Sequence, residues 1–326
     1  MKRMMLYAVM AAVLFNGMAY ARTYKIGMTA WTGCSPNNVA EAKGFWKSRG
    51  MDVQVITLAS NQELHNAFVN RRIDIGHEMI GTWVGLHNDG IPVTILTEFD
   101  WCHGGDKIIA KNGFDAGSLK GQVIGLYWNQ APVLFFLNKY LESKAIRLSD
   151  VRPVEIDAEG LTANFLAGRF PVILNYDPHA IVAEKQGNGK ILASTASYPG
   201  CMPGGYAVMT ESLKTIPKED LVKIFKGWME AVTWVKDGKN WEEYKKILNT
   251  GTFEGEKPHS DGELKEMLDA VRIHDKDILT ERNKDGGGLS VWLTEMKTML
   301  KENSMLKKDF NPEEIFDNAA IKEALK

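Results

Sequence analysis

Between Thr23 and about Ala180 the chain alternates short β-rich runs with stretches of helical period, and this alternation occurs twice. The β-rich runs are Tyr24–Thr29, Val53–Leu58, Ile91–Thr97, Lys107–Ala110, Val123–Leu126, Val151–Ile156 and Val172–Leu174. Strands interleaved with helices read as βαβ units, in which each helix carries the chain back so that the next strand pairs in parallel. Lys25-Ile26-Gly27-Met28 is answered 98 residues later by Val123-Ile124-Gly125-Leu126. His65-Asn66-Ala67-Phe68-Val69-Asn70-Arg71-Arg72 is answered 97 residues later by Thr162-Ala163-Asn164-Phe165-Leu166-Ala167-Gly168-Arg169. The near-equal offsets favour two similar α/β lobes over a chance recurrence of apolar periods.

A second echo falls where the chain would pass between the lobes. Cys102-His103-Gly104-Gly105-Asp106-Lys107-Ile108-Ile109 resembles Cys201-Met202-Pro203-Gly204-Gly205-Tyr206-Ala207-Val208. Each is a Cys, a Gly-Gly pair and a β-rich run. Glycine allows the backbone excursions that paired hinge segments need, although unrelated loops also carry Gly pairs. Ser60-Asn61-Gln62-Glu63 reads as a capping box, with Ser60 serving the N3 amide and Glu63 reaching back. Beyond Thr210 the chain turns helical, with helices expected at Leu221–Val235, Trp241–Leu248, Leu264–Ile273, Leu289–Leu300 and Pro312–Leu325. Asp285-Gly286-Gly287-Gly288 is read as a breaker loop, since no Lys-Ser/Thr follows it to complete a phosphate cradle.

The first residues predict export. Lys2 and Arg3 precede an apolar run, Met4–Phe15, and Ala19-Tyr20-Ala21 offers a small-x-small cleavage site. The run is shorter than the roughly 20 residues a membrane span needs. A signal peptide over 1–21 is favoured over an uncleaved anchor, which leaves a soluble mature chain in the periplasm. No cysteine precedes Cys34, so no lipid attachment site follows the run. The 39 Lys+Arg and 41 Asp+Glu are spread along the chain without a basic block, so nucleic acid is not an expected partner.

The chain resembles the periplasmic solute-binding proteins of the nitrate/sulfonate/taurine and thiamine-precursor group, the SsuA/THI5-like family. The resemblance rests on Asn37-Asn38-Val39-Ala40-Glu41-Ala42-Lys43-Gly44-Phe45-Trp46, Gly50-Met51-Asp52-Val53 and Arg72-Ile73-Asp74-Ile75-Gly76. It continues through Leu119-Lys120-Gly121-Gln122-Val123-Ile124-Gly125 to Pro312-Glu313-Glu314-Ile315-Phe316-Asp317-Asn318. It implies an α/β fold of the type II periplasmic-binding class: two α/β lobes joined by two hinge strands, with a helical C-terminal region. Residues 22–104 with 205–326 would form one lobe and 105–204 the other. It also implies a monomer that captures a small molecule by hinge closure and delivers it to an inner-membrane ABC permease, with no catalysis and no cofactor. Two alternatives belong to other classes: an enzyme like the thiamine-pyrimidine synthases, or a sensory binding protein acting on a receptor. Gly168-Arg169-Phe170-Pro171 departs from the family's usual Gly-x-x-Asp turn, so the usual contacts at Asn175 to Asp177 do not transfer directly.

Ligands of open α/β sheets bind outside the carboxyl ends of the strands. That rule selects the loops Trp31–Pro36, Ser60–Gln62, His77–Trp83, Asp100–His103, Trp128–Ala131, Asp157–Gly160, Asn175–His179 and Tyr198–Cys201. They are rich in aromatic and acidic residues and contain no Arg or Lys. The expected ligand-binding residues are Trp31, Ser60, Glu78, Asp100, Trp101, Trp128, Asp157, Tyr176 and Asp177. Aromatic faces and carboxylates suit a cationic or amine-bearing ligand. Indoles also suit a neutral heteroaromatic ring, and helix N-termini accept anions. Cys102 and Cys201 hold matching places before the hinge strands, where either a disulfide or buried thiols would fit. A metal site built from Cys34, Cys102, Cys201 and His103 lacks short ligand spacings and is not expected.

Overall fold

The computed structural model describes residues 22–326, and its strands gather into two separate sheets. The expected signal peptide lies outside the described residues. In chain order the strands are β1 (Thr23–Thr29), β2 (Asp52–Leu58), β3 (Ile75–Met79), β4 (Val93–Cys102), β5 (Asp106–Lys111), β6 (Val123–Leu126), β7 (Arg152–Glu155), β8 (Val172–Tyr176), β9 (Gly189–Ser194), β10 (Pro203–Met209) and β11 (Val271–Ile273). The first sheet is ordered β11-β4-β10-β3-β1-β2 and the second β7-β6-β8-β5-β9. β1 pairs in parallel with β2 and β3, and β6 with β7 and β8, as the βαβ reading requires. Each sheet also takes in one antiparallel strand that follows a crossing: β10 between β3 and β4, β5 between β8 and β9. Leaving β11 aside, the two orders are the same, so the sequence echo is a repeat of topology.

The echoed glycines show why the repeat is spelled as it is. A side chain on Gly27 would reach within 2.4 Å of Ile73 Cδ1 and 3.0 Å of Leu64. One on Gly125 would reach within 2.4 Å of Leu161 Cδ1, with Ile173 and Phe170 at 3.3 Å. Leu64 and Leu161 belong to the equivalent helices Asn61–Val69 and Ala158–Leu166, and both are fully buried. In each lobe a bare glycine in a central strand lets a helix leucine press onto the sheet. Below the first sheet, helix Lys218–Lys236 buries Leu221, Phe225 and Trp228, and Phe99 of β4 stacks on Trp228 at 3.8 Å.

The chain crosses between the sheets at His103–Gly105 and again at Tyr198–Met202. Gly104 and Gly200 take left-handed backbone angles there, with φ of 118° and 78°. The amide of Cys102 donates to Met202 O at 3.0 Å, tying the two crossings together.

Some expectations are corrected. The helix expected over Leu264–Ile273 is Asp261–Asp269, and Val271–Ile273 is β11, because its β-branched residues reach the open edge of β4 beside Asp100, Trp101 and Cys102. The helix expected over Pro312–Leu325 is two short helices, Pro312–Ile315 and Ala319–Ala324, interrupted where Phe316 bridges to Ile95. β3 and β9 went unread as strands. Ser60 does cap its helix through the Glu63 amide at 3.2 Å, but Glu63 turns to the amide of Ala59, not of Ser60. Cys34, Cys102 and Cys201 are free and buried, so the disulfide considered between Cys102 and Cys201 is not formed. Cys102 instead donates to Asp106 Oδ2 at 2.9 Å. Among the described residues no helix is long and apolar enough to cross a membrane.

Gly27→Val and Gly125→Val should each lower stability by about 1–3 kcal/mol through overpacking, read as a shift of the urea-unfolding midpoint. Midpoints equal to the parent's would show that Leu64 and Leu161 are not seated against these strands.

Candidate functional site in the inter-lobe cleft

By the strand-end rule the candidate cleft lies at the carboxyl ends of the parallel strands, and helices Ile80–Asn88 and Ala131–Glu142 meet there from the two lobes through Gly81 and Pro132. The lobes touch across it. The His65 and Trp128 rings lie 5.6 Å apart, one from each lobe. His65 is pushed down to about 4 by burial, so its imidazole is neutral at physiological pH.

Glu78, near the end of β3, is 6% exposed. Its carboxylate accepts from Asn61 Nδ2 at 2.6 Å and from the Met79 amide at 2.9 Å. Burial pushes its pKa up to about 7, the two hydrogen bonds oppose the rise, and the charge of Asp100 adds to it. Among the described residues no Lys or Arg pairs with Glu78. A buried carboxylate with hydrogen bonds but no counter-charge is a costly group to keep.

Asp100 is placed by a buried polar chain. The Tyr206 hydroxyl donates to Asn37 Oδ1, which orients the amide so that Nδ2 donates to His77 Nδ1 at 2.9 Å. The proton therefore sits on His77 Nε2, which faces Asp100 Oδ2 at 3.2 Å. Asp100 also borders Gly33 and Gly204; a methyl group on either would come within 2.8 Å of its oxygens. The thiol of Cys34 is driven well above its ordinary pKa by burial, then by the charges of Asp100 and Glu78.

Glu98 is the contrasting case, at 0% exposure. Arg282 grips it in a fork, Nε at 2.6 Å and Nη2 at 2.9 Å, while His274 Nε2 lies at 2.9 Å and Trp101 Nε1 at 2.5 Å. Burial alone would raise this carboxyl, but the hydrogen bonds from His274 and Arg282 hold it below its ordinary value. At the second lobe's end of the cleft, Asp177 is bound by Lys107 through Oδ2, and its Oδ1 has no partner among the described residues. Asp106 accepts from Cys102 and from the Tyr127 hydroxyl at 2.7 Å. Burial raises both Asp106 and Asp177.

Comparison with known proteins is decisive at the level of family and fold. The sequence model of the NMT1-like family matches residues 19–249. The chain belongs to the NMT1-like family. The Bacillus subtilis (strain 168) protein YtlA, named as a binding protein, is 26% identical over 218 residues. That match spans 62% of this chain and 63% of YtlA, so the chain covers less than two thirds of the relative. The ligand-binding component of an ABC-type import system from Staphylococcus aureus, solved with zinc bound, superposes with a TM-score of 0.71 at 15% identity, covering 93% of this chain and 99% of that one. The periplasmic aliphatic sulphonate binding protein SsuA of Escherichia coli superposes with a TM-score of 0.71 at 13% identity, covering 90% and 91%. The fold is the periplasmic-binding-protein fold.

Within this NMT1-like chain the expected site residues take different positions. Glu78 and Asp100 flank β10 in the first lobe, opposite Gly205 and Gly204, and the charge of Asp100 adds to the rise of Glu78. Trp31 is half-buried and passes from Gly33 to Gly105, approaching both to within 2.9 Å of where a side chain would start. Trp128 meets His65 across the cleft, and Tyr176 meets Tyr127 edge-on at 4.8 Å. Ser60 and Asp157 are occupied as helix caps, Asp157 accepting from the Gly160 amide at 2.8 Å. Trp101 spends its N–H on Glu98, and its ring packs against Arg282 and His274, so the structure places it in the hinge wall. Trp83, in a selected loop, is fully buried core.

Arg282 and Lys107 escaped the loop reading because neither sits in a strand-end loop; Arg282 arrives from a helix 184 residues after Glu98. Asn61 and His77 fell inside selected loops without being named as site residues, and Asn37, a buried amide in a helix, fell outside them. Among the described residues no three His, Cys, Asp or Glu side chains gather as a metal site.

Glu78 binds a proton more tightly folded than unfolded, so its contribution to stability is complete below its ordinary pKa of 4.5 and is lost as pH rises through about 7. Glu78→Gln should remove a fall of about 3 kcal/mol across that window and leave the variant more stable than the parent at pH 8, as read by urea unfolding at stepped pH. Equal slopes would show that Glu78 is ionised without cost. Arg282→Met should do the reverse, costing about 3–5 kcal/mol at pH 7 because Glu98 loses its counter-charge. That cost should shrink as falling pH protonates Glu98, and a pH-independent loss would contradict the pairing.

Proposed function

We propose that this protein is the periplasmic solute-binding component of an ABC importer. Its cleft captures a small ligand bearing a positively charged amine or a basic heteroaromatic nitrogen, and the lobes close over it as a monomer before delivery to an inner-membrane permease. Residues 22–104 with 205–326 act as one jaw and 105–204 as the other. The family and the fold support the binding role, and both structural neighbours are named as binding components. Burial drives the pKa of Cys34 and of Cys102 well above the ordinary value, which argues against either acting as a thiolate nucleophile.

The ligand's charge rests on Glu78. A cation beside it supplies the counter-charge that the protein lacks, and the indoles of Trp31 and Trp128 offer faces for the rest of the ligand. Asp100 and Asp177 extend the acidic wall, Tyr176 the aromatic one. The competing attraction is the set of helix N-termini, each worth about 0.3–1 kcal/mol to an anion. An anion held 4 Å from ionised Glu78 would meet a repulsion of about 4 kcal/mol at an effective dielectric of about 20. Above pH 7, where Glu78 is ionised, the carboxylate outweighs the helix ends; below it, a protonated Glu78 leaves the helix ends to act on an anion.

A thermal-shift screen of the mature protein against primary amines, quaternary ammonium compounds, pyrimidines, sulfonates and nitrate tests this, because a ligand of the native state raises the melting temperature. An amine should give the largest shift, its apparent affinity should weaken about tenfold per pH unit below 7, and Glu78→Gln should abolish the response. Shifts confined to sulfonates or nitrate would sink the cation reading.

A further inference from the structure

Helix Ile80–Asn88 starts two residues after Glu78, and helix Ala131–Glu142 starts opposite it in the second lobe. A methyl group on Gly81 would lie 2.8 Å from Pro132 Cβ, 2.9 Å from its Cα and 3.0 Å from its N. Two of these are backbone atoms in the first turn of a helix, and they have no rotamer by which to move aside. Gly85, one turn further along the same helix, would meet nothing within 4 Å.

The backbone does not account for a glycine at position 81. The residue lies inside a helix, where alanine is the better former. What a bare Cα provides here is room for the other lobe's backbone. We propose that Gly81 sets the depth to which the two lobes close, making it a positioning residue for ligand capture. With any larger residue the first turn of helix Ala131–Glu142 stops short of helix Ile80–Asn88. Trp128, three residues before Ala131, is then held back from His65 by the same displacement. The cleft bordered by Glu78 stays wider, whatever the charge of the ligand that enters it.

The test reads closure without a ligand. Full-length mature protein carrying His65→Cys and Trp128→Cys is treated with dibromobimane, which joins two thiols when they come close together. Peptide mass mapping then follows formation of the 65–128 cross-link. The native cysteines are buried and common to every variant. Adding Gly81→Ala should slow this cross-link at least tenfold, whereas Gly85→Ala should leave it unchanged. Pro132→Gly removes the nearest of the three atoms and should restore part of the rate in the Gly81→Ala background. Urea midpoints show whether each variant is folded. Equal rates with and without Gly81→Ala overturn the proposal. So does an equal slowing by Gly85→Ala, which would trace the effect to helix propensity, and so does a parent that never cross-links, since the contact would then not form in solution.

Discussion

A carboxylate with no exposure must have its charge balanced where it stands, and Glu98 shows how much of a fold that requirement can organise. It sits in β4, the strand that leads into the first crossing, and its fork of hydrogen bonds comes from Arg282 near the other end of the chain. Trp101 and His274 complete the group, and Gly200 of the second crossing lies against the Trp101 indole. Asn283, next to Arg282, accepts from the Glu98 amide at 2.7 Å and donates to its carbonyl at 3.0 Å, acting as a one-residue substitute for a strand neighbour. Both crossings and the C-terminal helices are thus registered to one side chain. Through His274, Arg282 and Asn283 the helical region after Thr210 is tied to the strand that enters the first crossing.

Glu78 and Glu98 lie in the same sheet and reach opposite electrostatic outcomes. Both are buried, and burial pushes both upward. Glu98 is pulled back down by a guanidinium and an imidazole, whereas Glu78 has only an amide side chain and a backbone N–H. A neutral donor stabilises a carboxylate without cancelling its charge. The first arrangement is self-sufficient; the second is complete only with a cation or a proton. The contrast sets Glu98 within the architecture and leaves Glu78 as the carboxylate for which a ligand is proposed, although each is a glutamate in a β-rich run.

The sequence showed the repeat, and the repeat carried the fold. Gly27 and Gly125 stand in equivalent strands because helix packing imposes the same demand twice, and local patterns record such demands well. β3 was missed because Ile75-Gly76-His77-Glu78-Met79 mixes polar residues into a strand buried on both faces, where they are satisfied by distant partners such as Asn37 and Asn61. β11 was misread because three residues joining the edge of β4 look like the end of the preceding helix. For the candidate site, strand-end position selects Glu78, which accepts from Asn61, and Asp100, which faces His77, together with Trp31 and Trp128, which lie against Gly105 and His65. It also gathered Trp101, Ser60 and Asp157, since loop position does not reveal that an indole N–H is already bonded or that an oxygen already caps a helix.

Recognition and closure meet at one turn of chain. Glu78 lies near the end of its strand, two residues before helix Ile80–Asn88, and Gly81 in the first turn of that helix faces Pro132. On the proposed reading, a cation beside Glu78 would sit near the contact between helix Ile80–Asn88 and Pro132 of the second lobe. Closing excludes water, and the attraction between opposite charges strengthens as the local dielectric falls. The same exclusion raises the cost of an ionised Glu78 with no cation beside it, and favours its protonated form. On that reading, closure over a cation and closure over nothing differ at this carboxylate. That difference is the differential binding free energy by which a ligand shifts an open–closed equilibrium.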